Sequence, residues 1–527
     1  MSQELKYLLS RATVGKLDRR AFLGRAAALG VTGAVANSML ASSALAAGPK
    51  KGGLIKAGLQ GGESTNSLDP ALSASSVPAN NLTSFGEVLI EVNPSGELDF
   101  RLAESVEASA DAKTWHFKIR QGVEFHNGKT LTAEDVLKTM QRHSGEDTKS
   151  GALGIMRGIE SMKADGDVFS VTLNSANADL PFLMSDYHLV IQPDGGWEAP
   201  AAGIGAGPYV LEVNEPGVRH GYTKFANYWD DGRGHADQIE IVVLNDSTAR
   251  TAALQSGQVH IINRVEPKVA ELLGRLPGVR IESISGRGHY VFVMHANTAP
   301  FDNADVRMAL KLAIDREDMV DKILRGYGSV GNDMPINAAY PLFSDDIEQR
   351  VYDPDKAKFF LKKSGHEGPI VLKVADGAFP GAVDAGQLFQ QSAANAGIEL
   401  AVERVPNDGY WSEIWNVEPF AASYWSGRPV QDQMYSTAYK SDADWNDTRF
   451  FRPGFDKLLA DAKGELDQTK RKAIYREMGL MVRDDGGAII PMFNDFIDGV
   501  SEDIGGWVGD PGGGTMFDGA LVKTWLL

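Results

Sequence analysis

The chain has 527 residues, 43% of them hydrophobic and 23% charged, with 57 glycines, 23 prolines and no cysteine. This is the balance of a globular protein, and the lack of cysteine excludes a disulfide framework, a thiolate metal site and a cysteine nucleophile. A formal charge of −18 sets most of the surface against a phosphate backbone, so no nucleic-acid partner is expected, and no stretch approaches the roughly 20 apolar residues of a spanning helix. At about 150 residues per domain, the length allows roughly three domain equivalents.

In chain order, the first 25 residues carry six basic groups (Lys6, Arg11, Lys16, Arg19, Arg20, Arg25) against Glu4 and Asp18. A Gly- and Ala-rich apolar run follows over 26–40, then Ala44-Leu45-Ala46, a small-x-small cleavage pattern. Together these make a signal peptide spanning 1–46. Asp18-Arg19-Arg20-Ala21-Phe22-Leu23 resembles the twin-arginine export motif, departing from it at Asp18 and Gly24. A mature chain starting near Ala47 and a Gram-negative periplasmic destination are therefore expected.

Alternating or continuous apolar runs predict strands at 115–119, 169–173, 239–244, 291–294, 370–374 and 400–402. Val306, Ala309, Leu310, Ala313 and Ile314 form one helical face behind an Asp302-Asn303 start. Asp315 can cap a second helix, with Gly326 as its stop. Two further stripes, Phe455/Leu458/Leu459/Ala462 and Ile474/Met478/Met481/Val482, predict C-terminal helices. Interleaved strands and helices argue for α/β domains. Candidate boundaries are the Gly- and Pro-rich segments 203–208, 286–288 and 510–514.

Signatures of catalysis fail one by one. Gly128-Lys129-Thr130 lacks the earlier glycine of a phosphate-binding loop, since Val123 stands there. The formal dinucleotide fingerprint Gly326-Tyr327-Gly328-Ser329-Val330-Gly331 follows a helix instead of a strand, and reads as a helix stop and turn. No Gly-x-Ser-x-Gly elbow occurs, and the ten histidines form no His-x-x-x-His pair. Among 70 acidic residues, sequence alone nominates no glycosidase dyad.

One stretch is specific. Leu102-Ala103-Glu104-Ser105 leads through Thr114-Trp115-His116-Phe117-Lys118-Ile119-Arg120 to Gly122-Val123-Glu124-Phe125-His126-Asn127-Gly128, then Leu131-Thr132-Ala133-Glu134-Asp135-Val136. This block resembles the signature of the family 5 extracellular solute-binding proteins, the dipeptide, oligopeptide and nickel binders of ABC importers. Further family-like pieces follow in order, among them Leu68-Asp69-Pro70, Gly207-Pro208-Tyr209, Asn227-Tyr228-Trp229 and Ala313-Ile314-Asp315-Arg316. The signature itself reads as architecture. Trp115, Phe117 and Ile119 alternate on one strand face, Asn127-Gly128 is hairpin chemistry, and Thr132 with Asp135 approaches a capping box.

The resemblance implies an α/β, two-lobed binding protein of the cluster C type, with an extra subdomain and a ligand cleft between lobes. The implied division is 1–46 signal peptide; 47–82, 207–290 and 499–527 lobe I; 83–206 the extra subdomain; and 291–498 lobe II. It implies a monomer that hands a peptide or similarly sized polar metabolite to an inner-membrane permease, with no catalytic residue, metal or cofactor. An exported hydrolase acting on an oligosaccharide or peptide, and a receptor for chemotaxis or haem, remain alternatives.

By the same resemblance, three places face the cleft: the loop 61–66 with Glu63 and Ser64, the segment from Arg287 to Tyr290, and the stretch 423–432 with Tyr424, Trp425, Arg428 and Asp432. In the family a Trp-x-Gly-Asp-like sequence supplies an aspartate to the peptide's amino terminus. Here Trp425 and Gly427 match, but Arg428 stands where the acid is expected. A guanidinium pairs bidentately with carboxylate or phosphate and repels an ammonium. The ligand is therefore expected to carry an anionic group near Arg428, or to be a zwitterion bridging Arg428 and Asp432. Tyr410, Trp411, Trp415, Tyr424 and Trp425 form an aromatic cluster in sequence, suited to stacking or to a core.

Overall fold

The structure is a computed structural model that describes residues 49–527 apart from 74, 146, 376, 407–409 and 444, with no side chain described at 411 and 412. The expected signal peptide and the Trp411 side chain lie outside the described residues.

Strands are numbered in chain order. A large mixed sheet of eleven strands runs in the order β15 (Leu400–Arg404), β14 (Ile370–Val374), β16 (Phe420–Trp425), β12 (Val279–Met294), β17 (Ala488–Ser501), β11 (Ile261–Ile262), β1 (Leu54–Leu59), β10 (Gln238–Val243), β9 (Arg219–Lys224) and β8 (Tyr209–Glu215). The eleventh strand, β13 (Gly328–Val330), also pairs with β17. A separate antiparallel sheet has the order β4 (Ala103–Ala108), β5 (Thr114–Ile119), β7 (Val168–Leu173), β6 (Ile159–Asp165). Two short pairs complete the set, β2 (Ile90–Val92) with β3 (Leu98–Phe100) and β18 (Ile504–Gly505) with β19 (Trp525–Leu526).

Local chemistry explains these elements. In β5 the alternation holds: Trp115, Phe117 and Ile119 are buried against Phe169 and Val171, each worth about 1.5–3 kcal/mol of apolar burial. Thr132 closes a full capping box, its hydroxyl accepting from the Asp135 N–H while Asp135 accepts from the Thr132 N–H, and the helix Ala133–Ser144 follows. Asn303 and Asp315 cap the helices Ala304–Ala313 and Arg316–Lys322 as expected. The segment at 326–331 departs from the expected turn, because Gly328–Val330 continues into β13 against Phe493.

Two cores sandwich the half of the large sheet containing β14, β16 and β12. Phe292, Met294, Phe420 and Ala422 point into one core. Val291, Val293 and Trp425 point into the other, with Met434, Tyr435 and Phe455. The other half has its own core, in which Ile55, Ala57, Leu59, Ile239, Ile241 and Ile261 meet Val500.

The halves are joined through the long pair β12–β17. Its register runs evenly from Val279↔Ser501 to Ser285↔Asp495, then shifts to His289↔Phe493. Four residues of β12 are thus spent where β17 spends two, a bulge built from Gly286-Arg287-Gly288. Sequence reading placed a boundary before a strand here; the structure instead runs one strand through it. Glycine is needed for packing, since a Cβ on Gly286 would lie 2.6 Å from the Phe496 ring.

Candidate ligand-binding site

The bulge lies between the half-sheets, and three segments converge on it. The first is the bulge itself. The second is the loop 426–430 that carries the chain from β16 into the helix Gln431–Ala438. The third is the turn 337–341, pinned by the Asn337 side chain, which donates to the Gly286 carbonyl at 2.8 Å.

Arg287 is buried, and its Nε donates to the Ala339 carbonyl at 2.9 Å while its guanidinium sits 5.6 Å from the Tyr340 ring centroid. The Tyr340 hydroxyl accepts from the Arg428 backbone N–H at 3.1 Å. Gly427 makes this convergence possible. A Cβ there would fall 2.2 Å from the Arg287 Cβ, so only a bare backbone passes. Burial pulls both guanidinium pKa values down, and both groups stay charged at neutral pH.

Tyr290 and Tyr424 are cross-strand partners on one face of the sheet. Tyr290 stacks on Phe379 at 4.2 Å, and burial pushes its hydroxyl up to about 12. Tyr424 is 46% exposed at the rim. Trp425 faces the opposite way, opposite His289, and is buried. Its indole N–H and that of Trp415 both donate to Asp447 Oδ2, at 3.2 and 3.0 Å. Burial pushes the Asp447 carboxyl up to about 7 against those two donors. Burial also drives the His289 imidazole down to about 3.

Glu63 and Ser64 are exposed on the loop after β1. Asn245 fixes that loop by accepting from the Gly61 N–H at 3.0 Å and donating to the Gly62 carbonyl at 2.8 Å. Asp432 lies elsewhere. Because the helix begins at Gln431, its carboxylate turns inward to Lys463 Nζ (3.5 Å), beside the buried Arg471–Asp179 pair. The structure therefore gathers Arg287, Tyr290, Tyr424 and Arg428 around the bulge, seats Trp425 beneath them, and leaves Asp432 in a separate network. Sequence reading did not include Tyr340, Asn337 and Asp447; no motif marks them, and each acts through a partner distant in the chain.

A separate opening lies between Leu82, Tyr187, Val190 and Val522. On its wall Glu91 pairs with Arg233 (2.8 Å) and Lys523 (3.2 Å), Glu87 pairs with Arg101 (2.9 Å), and Asp518 accepts from the Asn80 side chain (2.7 Å). Among the described residues, no group of three or more His, Asp or Glu side chains is placed to hold a metal ion.

The family model described as bacterial extracellular solute-binding proteins, family 5 Middle, matches residues 97–447. The chain belongs to this family. The heme-binding protein A of Haemophilus influenzae is 26% identical over 484 residues, covering 84% of this chain and 86% of the relative. The dipeptide-binding protein of Escherichia coli is 24% identical over 494 residues, covering 85% and 90%. The structure of HbpA2 from Haemophilus parasuis superimposes with a TM-score of 0.80 at 20% identity, covering 90% of this chain and all (100%) of that one. This family 5 chain is thus a two-lobed α/β solute-binding protein, and the bulge of β12 lies where its half-sheets meet.

Proposed function

We propose that the chain is the periplasmic solute receptor of an ABC importer, without catalytic activity, exported by the twin-arginine signal at 1–46 and acting as a monomer. It captures a peptide or similarly sized polar metabolite at the β12 bulge and presents the closed form to an inner-membrane permease. The observation that carries this reading is the joining of two half-sheets through one strand pair that bulges at Gly286-Arg287-Gly288, the place where one half can turn on the other. A ligand drives such closure only by its differential affinity for the closed state. A micromolar dissociation constant, about −8 kcal/mol, is within reach of a few buried polar contacts and one stacked ring.

The lobe boundaries in this reading are 47–82, 207–290 and 499–527 for one lobe, 291–498 for the other, and 83–206 for the added subdomain. Separate hydrophobic cores support that division in outline, with Phe85, Val88 and Val190 of the added subdomain packing into the core of the first lobe. Glu63 and Ser64 approach the solute from the first lobe, and Arg287, Tyr290, Tyr424, Trp425 and Arg428 hold it from the crossing and the second. Asp432 acts at one remove, by tying the helix that follows Arg428 to Lys463.

The test is a thermal-shift screen with dipeptides, amino-acid conjugates, oligosaccharides, metal chelates and haemin, followed by small-angle scattering on each hit. A melting shift, a smaller radius of gyration and unchanged ligand are expected. Conversion of a hit to product would overturn the reading in favour of a hydrolase.

A further inference from the structure

We infer that the opening beside Tyr187 is a second small-molecule site, separate from the solute cleft, for a primary amine carried on an apolar or aromatic body. Most of its wall comes from three places: the end of the helix Ser76–Phe85 with the residues after it, the segment around Tyr187 and Val190, and the C-terminal stretch 517–523. No residue of 291–498 lines it, so the opening is complete without the second lobe. Leu82, Val88, Val190, Pro208 and Val522 give it the apolar wall that a hydrocarbon body fills.

Asp518 sets the polar end. Of the three carboxylates on the wall, Glu87 is neutralised by Arg101, and Glu91 by Arg233 and Lys523. Asp518 forms no ion pair among the described residues. Its Oδ1 accepts from the Asn80 amide at 2.7 Å and from the Thr515 hydroxyl at 3.3 Å, and no described residue donates to its Oδ2. The cation whose charge it feels, Arg264, is exposed and does not line the opening. The titratable groups near enough to interact with Asp518 are Asp498, Arg264 and Tyr187, and burial pushes its carboxyl up to about 7. Tyr187 and Phe517 bring aromatic rings to the same wall. An ammonium is held by a carboxylate and ring faces together, whereas a ligand carboxylate there meets a like charge.

The backbone that presents Asp518 is held against its own preference. Thr515, Met516, Phe517 and Asp518 are four consecutive non-glycine residues with φ of 51°, 55°, 54° and 60°. Left-handed backbone is unfavourable for each L-residue and is ordinarily met one residue at a time. The turn is fastened from behind. The Thr515 N–H donates to Asp498 Oδ2 at 2.6 Å, and the Thr83 hydroxyl donates to the Asp518 carbonyl at 2.6 Å. Strained backbone persists where its surroundings over-determine it, and ligand clamps are one such place. Here the strain sets Phe517 and Asp518 side by side on the wall of the opening.

The test uses the mature full chain with 2-phenylethylamine, and with 2-phenylethanol and 3-phenylpropionate as neutral and acidic counterparts of similar size. Affinity is read by titration calorimetry and melting by thermal shift. The amine is expected to bind about tenfold or more tighter than either counterpart. From pH 6 to pH 8 the amine keeps its proton while Asp518 loses its own, so the amine's affinity should rise about tenfold. Asp518→Asn keeps an acceptor for Asn80 and should abolish both the preference and the rise, leaving affinity for the tightest-binding solute of the screen unchanged. Circular dichroism melting separates loss of the site from loss of the fold. Should Asp518→Asn fail to fold, Tyr187→Leu carries the test: it should weaken the amine several-fold, and an unchanged affinity overturns the inference. No amine binding, equal binding of the three probes, or a preference that survives Asp518→Asn also overturns it. So does displacement of the amine by a screened solute, which would place it in the cleft. The amine arms need no solute, so this inference and the solute-binding reading fail separately.

Discussion

Two charge clusters in this molecule are built on opposite lines. In one, Arg471 binds Asp179, Tyr475 and the Ala462 carbonyl, and Lys463 faces Asp432, so every charge has a counter-charge beside it. In the other, Arg287 lies against the Tyr340 ring and the Arg428 N–H donates to the Tyr340 hydroxyl, and among the described residues no carboxylate forms an ion pair with either arginine. The first holds together parts of the chain nearly 300 residues apart, 179 and 471. The second leaves its cations without an ion-pair partner among the described residues, at the crossing of the two half-sheets. Closed networks hold a fold together, whereas an open one leaves donors free for other work.

The strongest way to break the comparison is Arg471→Ala. It leaves Asp179 and Asp432 buried beside a missing cation, and should lower unfolding free energy by about 3–5 kcal/mol in a urea titration. Affinity for the tightest-binding hit of the screen should be untouched; if it is lost with no change in stability, the two clusters are not separate. Gly427→Ala should come next. Its Cβ collides with Arg287, so about 1–3 kcal/mol of strain is expected together with weaker ligand binding, read by calorimetry.

The third effect is on pH dependence. The Asp447 carboxyl, at about 7 in the fold against about 4 unfolded, is disfavoured as a charge by burial. Its contribution is most favourable when the group is protonated and is lost as pH rises from about 4 through 7, at up to about 1.4 kcal/mol per pH unit. Asp447→Asn removes the titrating group and keeps an acceptor for both indoles. Its stability should therefore vary less between pH 5 and 8 than the parent's, and identical slopes would contradict the assignment. Smallest of all is Glu63→Gln. On an exposed loop already fixed by Asn245, it should shift unfolding by less than about 0.5 kcal/mol.

Short-range features were legible in the sequence. The Trp115/Phe117/Ile119 alternation, the Thr132–Asp135 box and the Asn303 and Asp315 caps involve residues within a turn of one another. Arg428 drew notice because it reverses a charge within a family-like motif. What stayed hidden was long-range or conditional. Gly286-Arg287-Gly288 looks like a turn, because glycine serves both turns and bulges, and only Phe496 and Asn494 across the sheet decide between them. Asp432 lies four residues from Arg428 in sequence, yet a helix starting at Gln431 turns it to Lys463. Tyr340 acquires its role only through Arg287 and Arg428, and no local pattern announces that.

The most direct test of the account is a crystal structure of the chain with the tightest-binding hit of the screen. The ligand should lie between the closed half-sheets, against the Gly286-Arg287-Gly288 bulge. That hit bound away from the bulge, for example in the opening beside Tyr187, would contradict it.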